Sequence, residues 1–390
     1  MIHVASRILL AIAILGCLSS SVYYLLCLWS AVAFLRNRKS NQSIPTRQYL
    51  PPVSILKPLK GIDPEIYESF RSHCMQDYPE YEIIFGVSDP DDPAVASVER
   101  LRQEFPERPI FLIVCREILG PNVKVSNLQQ MAQAARHDLL IVNDSDIRVE
   151  NDYLLRVTAP LAGQHVGMVT CLYRGVAAST LGSQLEALGI STDFCAGVLA
   201  AQNLEGGLRF GLGSTLAFRR EDLAGIGGFL ALADYLADDY ELGKLISELN
   251  KQVVLSDVVV ETHLPSYDLS GFIQHQLRWF RAVRDARKGG YLGLASTFGV
   301  MWALLAYFAS DFAVWSLALL AAVLLIRFTL AFVMCRAILH DDGSSRSLWL
   351  LPIRDLVAVA VWIASFVGNT VTWRGDRFRL KDGRLIRLAP

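Results

Sequence analysis

Two aspartates one residue apart close the apolar run Leu139-Leu140-Ile141-Val142-Asn143-Asp144-Ser145-Asp146. In open α/β sheets ligands bind beyond the carboxyl ends of the strands. Asp144 and Asp146 can there share a Mg²⁺-type cation, which prefers oxygen ligands and is often held by one or two carboxylates plus substrate phosphates. The same residues also read as a strand running into an Asp/Ser turn. Ser88-Asp89-Pro90-Asp91-Asp92-Pro93 ends an earlier apolar run. Its acids can accept hydrogen bonds from a base or a ribose hydroxyl, or merely form an Asp/Pro turn. Lys124 and Asn127, read as lying just before a helix, can meet a phosphate or stay solvated. Asp238-Asp239-Tyr240-Glu241 opens a helix. Asp238 with Glu241 is capping-box-like, Asp standing for Ser/Thr. That pattern leaves Asp239 unexplained and able to act as a general base. Lastly, His275-Gln276-Leu277-Arg278-Trp279 leads into Arg281, Arg284, Arg287 and Lys288, a pattern also suited to an amphipathic interfacial helix.

These residues need a frame that brings them to one edge. Short β-rich runs recur at Val53–Leu56, Ile83–Val87, Ile110–Val114 and Leu139–Val142, about one βαβ unit apart. Helix-like stretches lie between them at Asp63–Cys74, Ala94–Phe105 and Ser126–Arg136, the first with Asp63 as N-cap and Pro64 at the first helical position. The pattern predicts an α/β fold with a parallel, Rossmann-like sheet. Further strands are expected at Gly167–Tyr173, Ser214–Phe218 and Val253–Glu261. No GxGxxG follows the first strand, where Leu56-Lys57-Pro58-Leu59-Lys60-Gly61 stands, and Gly211-Leu212-Gly213 precedes a strand, so a dinucleotide site is not expected.

Of the 390 residues 52% are hydrophobic, and the apolar residues concentrate at the two ends. The formal net charge of −1 gives no nucleic-acid footprint. The seven cysteines have neither zinc-site nor redox spacing and suggest no disulfide framework, as in a reducing cytosol. Ile8 to Leu35 is long enough to cross a bilayer and is followed by Arg36, Arg38 and Lys39, with Arg47 beyond. We read residues 1–35 as an uncleaved anchor with its N-terminus outside, 36–52 as a linker, 53–290 as a cytosolic catalytic domain, 291–373 as transmembrane or interfacial helices, and 374–390 as a basic tail. Tyr291–Leu339, broken by Ser310-Asp311, suits two spans, and Leu348–Trp373 is a third apolar stretch interrupted by Pro352, Arg354 and Asp355. Three spans would put the tail outside, whereas its six Lys and Arg residues favour the inside. One apolar stretch is therefore expected to lie in the interface or to re-enter. Gly182–Ala201, small and apolar, reads as a core helix or a surface against lipid.

The order of the motifs is more specific than any one of them. The series of aspartates followed by a final xxRW, between membrane anchors, resembles the processive-type membrane glycosyltransferases. The closer resemblance is to the ceramide glucosyltransferase family, through Ile55-Leu56-Lys57-Pro58-Leu59-Lys60-Gly61, Asp91-Asp92-Pro93-Ala94, Lys124-Val125-Ser126-Asn127-Leu128, Asp144-Ser145-Asp146-Ile147-Arg148-Val149 and Asp239-Tyr240. Ser191-Thr192-Asp193-Phe194 and the His-Gln-Leu-Arg-Trp form of the last motif resemble its bacterial hopanoid-associated branch. The resemblance implies a GT-A type domain in a bacterial inner membrane that transfers glucose or N-acetylglucosamine from a UDP-sugar to a lipid hydroxyl, on a ceramide or a hopanoid polyol, with inversion. It implies Mg²⁺ or Mn²⁺ on Asp144 and Asp146 and donor contacts from Lys57, Asp89, Asp91, Lys124, Asn127 and Asp144. Asp239 would be the base, with Arg278, Trp279 and His275 completing the site. The family has Gln or Arg where this chain has His275. A polysaccharide synthase, or a non-catalytic scaffold on the same frame, is the alternative.

Overall fold

The computed structural model describes residues 2–41, 49–373 and 375–388; residues 42–48 of the expected linker, Arg47 among them, and Arg374 lie outside the described residues. The chain forms two compact units. One comprises residues 38–176, 204–265 and 372–390; the other comprises 1–37, 177–203 and 266–371.

The first of these carries an eight-stranded sheet. Its strands are β1 (Val53–Pro58), β2 (Tyr81–Val87), β3 (Ile110–Val114), β4 (Leu139–Val142), β5 (Ile147–Arg148), β6 (Val166–Val176), β7 (Leu216–Arg219) and β8 (Gln252–His263), in the order β3-β2-β1-β4-β7-β6-β8-β5. β1, β2 and β4 are buried along their whole length. Strands covered on both faces read as continuous apolar runs, so these were legible in the sequence. The four parallel strands β3-β2-β1-β4 match the expected crossover pattern. Beyond β4 the expectation of a parallel sheet fails: β7 runs antiparallel to both β4 and β6, and β5 is antiparallel to β8. The sheet is mixed because β7 enters from the edge at which β4 ends, pairing Leu216 with Val142. A second, three-stranded sheet of β9 (Thr370–Trp373), β10 (Asp376–Lys381) and β11 (Arg384–Arg387) is anchored by hydrogen bonds from Leu385 N–H to the Asp234 carbonyl (2.6 Å) and from Leu236 N–H to the Gly383 carbonyl (3.4 Å).

Three helix-start expectations are corrected. Helix Ile66–Cys74 begins after Glu65, and Asp63 does not cap it; Asp63 Oδ2 accepts the Ser145 hydroxyl instead (2.5 Å). Helix Val123–Ala134 begins earlier than expected, capped by Asn122, whose side chain accepts Val125 N–H, so Lys124 and Asn127 lie within it. Asp238 is the first residue of helix Asp238–Glu248 and makes no capping box, because Lys124 and Asn122 engage its carboxylate and Glu241 pairs with Lys244.

The other unit is helical. Its first helix, Ile2–Asn41, exposes Ile8, Leu15, Val22 and Trp29, one apolar residue every seven, each 56–66% exposed. Such a stripe has no partner within the unit and suits lipid. Along its length Ser6 Oγ donates to the Ala309 carbonyl (3.2 Å), and Tyr24 Oη donates to the Thr297 carbonyl (2.9 Å). Helix Gly299–Ala309 therefore runs antiparallel to it, and helix Val314–Val333 returns after a turn at Ser310–Ala313. By length and composition three helices among the described residues suit a membrane span, Val4–Arg38, Val314–Ile338 and Leu348–Ser365, and the pair Lys288–Thr297 and Gly299–Ala309 is bent by 52°. Gly182–Ala201 becomes helix Leu181–Gly189, a π-turn at Ile190–Phe194 and helix Cys195–Leu204. All seven cysteines are buried, and none forms a disulfide.

Candidate active site

The site lies at the carboxyl edge of the parallel strands. β1 and β4 are in register, Leu56 opposite Val142, so Lys57 and the Asn143–Asp146 turn emerge side by side. Lys57 is fully buried; its Nζ donates to the Asp144 carbonyl (2.9 Å) and lies 6.0 Å from the Phe70 ring centroid. Burial pushes its ammonium down to about 7, against the pull of Asp146 and Asp144. Lys57 thus holds the backbone of the turn that presents the two acids. Lys57→Met is expected to weaken nucleotide binding about tenfold, because the freed carbonyl loses a hydrogen bond of about 1–3 kcal/mol. Its melting temperature should change little, since the variant also removes a buried charge. Calorimetric titration with UDP beside a melting curve checks this, and unchanged affinity would remove the positioning role.

Asp144 leaves the sheet half-exposed, and its Oδ1 pairs with Lys124 Nζ at 2.8 Å. Lys124 Nζ also lies 3.3 Å from Asp238 Oδ2. Burial disfavours the charge on Lys124, but Asp144, Asp238 and Asp239 overcome this and raise it above the ordinary lysine range. Asp146 accepts the hydroxyl of Thr262, which β5–β8 pairing sets opposite Ile147. Burial, and then the Asp144 charge, push Asp146 up to about 6.

Asp239 joins this group from the start of its helix. Oδ1 accepts Tyr240 N–H and Oδ2 accepts Gly213 N–H, both at 2.8 Å. A methyl group on Gly213 would come within 3.2 Å of both Asp144 Oδ2 and Asp239 Oδ2, so a side chain here would crowd the two carboxylates. Burial, then Asp238, push Asp239 up to about 6. Four carboxylates, Asp144, Asp146, Asp238 and Asp239, thus surround two ammonium groups. That excess of negative charge, with oxygen donors only, suits a divalent cation. Among the described residues no three His, Cys, Asp or Glu side chains converge as a complete metal cage. A cation here would take part of its shell from elsewhere, as Mg²⁺ does with substrate phosphates.

The remaining expected residues fall in two places. Asp89 and Asp91 are exposed at the end of β2, where Asp89 Oδ1 accepts Asp91 N–H (3.0 Å). Asn127 is buried, its Oδ1 accepting the Ser88 hydroxyl (3.0 Å), so it braces that same turn. His275, Arg278 and Trp279 belong to the helical unit, on helix Leu269–Ala286. There His275 lies between the rings of Tyr267 (5.3 Å) and Trp279 (5.8 Å), its Nδ1 3.3 Å from Glu186 Oε1. Gln276, beside it, is committed to Glu186 Oε2 (2.7 Å). Sequence reasoning missed Thr262, Asn122 and the contact of Gly213 with Asp239. The Gly211-Leu212-Gly213 pattern before a strand was the one signal that pointed at the last of these.

Comparison with known proteins bears on the family and the fold. A family model described as "Glycosyl transferase family 21" matches residues 12–386. Ceramide glucosyltransferase 1 of Caenorhabditis elegans is 22% identical over 404 residues, covering 97% of this chain and 82% of that protein. Ceramide glucosyltransferase 3 of the same organism is 27% identical over 233 residues, covering 60% of this chain; the match spans only 50% of that protein's length. Among solved structures, mannosyltransferase PcManGT from Pyrobaculum calidifontis, in complex with GDP-Man and Mn²⁺, superposes with a TM-score of 0.51 at 19% identity, covering 91% of this chain and 99% of that one. That likeness shows the fold, a GT-A type α/β sheet.

Proposed function

The chain belongs to glycosyl transferase family 21, and from that premise we propose that it is a membrane-bound, UDP-sugar-dependent hexosyltransferase that glycosylates a lipid hydroxyl with inversion. The observation that carries this reading is the convergence of Asp144, Asp146, Lys124 and Asp239 at one sheet edge. Inverting transfer requires a base for the acceptor proton and positive charge for the departing diphosphate. Asp239, anchored by two backbone N–H groups and raised to about 6, is the base. A carboxylate poised near working pH combines a useful ionised fraction with enough basicity. Lys124 offers fixed positive charge where the nucleoside diphosphate gathers negative charge. Asp89 and Asp91 meet the nucleotide, and Arg278, Trp279 and His275, on the helical unit, act in transfer as the family motif implies. A Mg²⁺ or Mn²⁺ ion held by Asp144 and Asp146 supplies Lewis-acid stabilisation of the diphosphate. The retained acids favour an enzyme over a scaffold, and the small number of candidate spans disfavours a polymer-threading synthase.

The donor is UDP-glucose or UDP-N-acetylglucosamine, and the acceptor a ceramide or, with slight preference, a hopanoid polyol. Mass spectrometry of lipid products tests this directly. The solubilised protein receives both UDP-sugars, with ceramide and bacteriohopanetetrol competing. An N-acetylhexosamine adduct of the polyol supports the favoured acceptor, and hexosylceramide supports the other. Neither product, from protein that binds UDP, would overturn the lipid-acceptor reading.

The contacts within the helical unit also support a topology. Ser6 meets Ala309 and Tyr24 meets Thr297, so helices Gly299–Ala309 and Val314–Val333 form a hairpin reaching the level of the N-terminus and returning. The last apolar helix, Leu351–Ser365, stays near the level of Tyr24. Its Asp355 bonds Arg327, which lies 5.6 Å from the Tyr24 ring, and its Trp362 packs on Phe298. The tail shares a compact unit with the sheet, which supports an even number of crossings between them. We therefore place Leu351–Ser365 along the interface, with the tail in the cytosol of a bacterial inner membrane. A membrane-impermeant maleimide should label a cysteine at Asp311 from outside intact cells and one at Asp382 only after lysis. The reverse pattern would invert the assignment.

A further inference from the structure

Charged side chains buried away from water are costly unless paired, so a buried cluster of them needs an explanation. Four meet inside the helical unit. Arg327, 1% exposed on helix Val314–Val333, donates to Asp355 through Nε (2.9 Å) and Nη2 (2.7 Å), to Asp193 Oδ1 (2.5 Å) and to the Thr192 carbonyl (3.2 Å). Arg354, 4% exposed, donates to Gln276 Oε1 (3.2 Å) and lies 3.7 Å from Asp193 Oδ2. Its guanidinium presses on Gly189, where an added Cβ would lie 2.4 Å from Nη2. Nε and Nη1 of Arg354 have no hydrogen-bond partner among the described residues. A buried guanidinium left so under-satisfied needs an explanation beyond packing.

Asp193 is where this network opens. Its side chain is 39% exposed, against 2% for Arg327, 5% for Arg354 and 11% for Asp355. It stands in the π-turn Ile190–Phe194, a helix irregularity that recurs at functional sites. The next residue, Phe194, packs edge-on against Trp279 of the xxRW motif at 5.8 Å. A carboxylate has about four acceptor positions, and the arginines that fix Asp193 leave some of them open. A fixed carboxylate beside aromatic rings suits a polyhydroxylated head, with hydroxyl or amide hydrogens on the oxygens and carbon faces on the rings.

We propose that Asp193, held by Arg327 and Arg354 and flanked by Phe194 and Trp279, is an acceptor-recognition subsite for a membrane lipid whose head carries adjacent hydroxyl or amide donors. This rests on the lipid-glycosylation reading above. The donor's own sugar offers the same chemistry, so the test separates the two sources. Steady-state kinetics are measured in one detergent, varying lipid acceptor and UDP-sugar in turn. Loss of hydrogen bonds to a charged group should raise the acceptor KM of Asp193→Asn about 10- to 100-fold, with donor KM within about twofold. Phe194→Leu touches none of the ion pairs and should raise the acceptor KM in the same direction by a smaller factor, which decides the matter if Asp193→Asn does not fold. Acceptor KM unchanged in Phe194→Leu and in any folded Asp193→Asn overturns the subsite, as does a rise in donor KM alone, which would assign it to the sugar. A wild-type chain that glycosylates no lipid sinks both readings; a working wild type with unaffected variants sinks only this one. Comparing a hopanoid polyol with ceramide then shows which donor pattern Asp193 prefers.

Discussion

Asp239→Asn should lower transfer by at least about 10²-fold while leaving UDP-sugar binding in place. The variant keeps the size of the side chain but removes the group that takes the acceptor proton. Both carboxylate oxygens are already positioned by backbone donors, Gly213 N–H and Tyr240 N–H. In asparagine one of these N–H groups would face the amide NH₂, so a modest loss of stability accompanies the loss of chemistry. The two effects separate experimentally. Calorimetric titration with the donor reports binding, turnover of donor with acceptor reports chemistry, and a melting curve reports folding. Near-normal turnover would remove Asp239 from the base role and pass it to another acid of the cluster. The raised Asp239 carboxyl, about 6, is part of the argument: burial and Asp238 make it a stronger base than a solvated aspartate.

Stripping divalent cations with a chelator should reduce turnover by at least about 10³-fold, because Lewis-acid stabilisation of a diphosphate is worth several kcal/mol. Added Mn²⁺ or Mg²⁺ should restore it. Asp146→Asn should blunt that restoration, raising the cation concentration needed. Asp144→Asn should do so with an additional defect, because it also frees Lys124 from its 2.8 Å partner. Cation titrations of turnover, run beside UDP binding, distinguish the two variants. Turnover that survives the chelator would assign the leaving diphosphate to Lys124 and its neighbours alone. The excess of carboxylates over ammonium groups at this edge is the physical reason for expecting otherwise.

Lys124 shows how a local reading undervalues a residue. Beside a helix start it looks like an ordinary solvated lysine, yet it carries ion pairs to Asp144 and Asp238. Asp238 shows the converse. Its spacing to Glu241 suggested a cap, but a nearby ammonium competes better for a carboxylate than backbone N–H groups that water can also satisfy. Asn127 and Lys57, expected to touch the donor, brace the turns that carry Ser88 and Asp144, a role that no local pattern announced.

The sequence by itself determined β1 to β4, the place of Asp144 and Asp146 at a strand end, and the candidate membrane helices. These rest on local apolar runs whose period and length follow from burial on both faces or from bilayer thickness. Only the tertiary structure decided that β7 enters the sheet antiparallel, which brings Gly213 between Asp144 and Asp239. It alone set Thr262 on Asp146, 116 residues away along the chain, and Asp193 on Arg327, 134 residues away. Such contacts arise from strand order and helix packing, and no local periodicity encodes which distant residue will supply the partner of a buried charge.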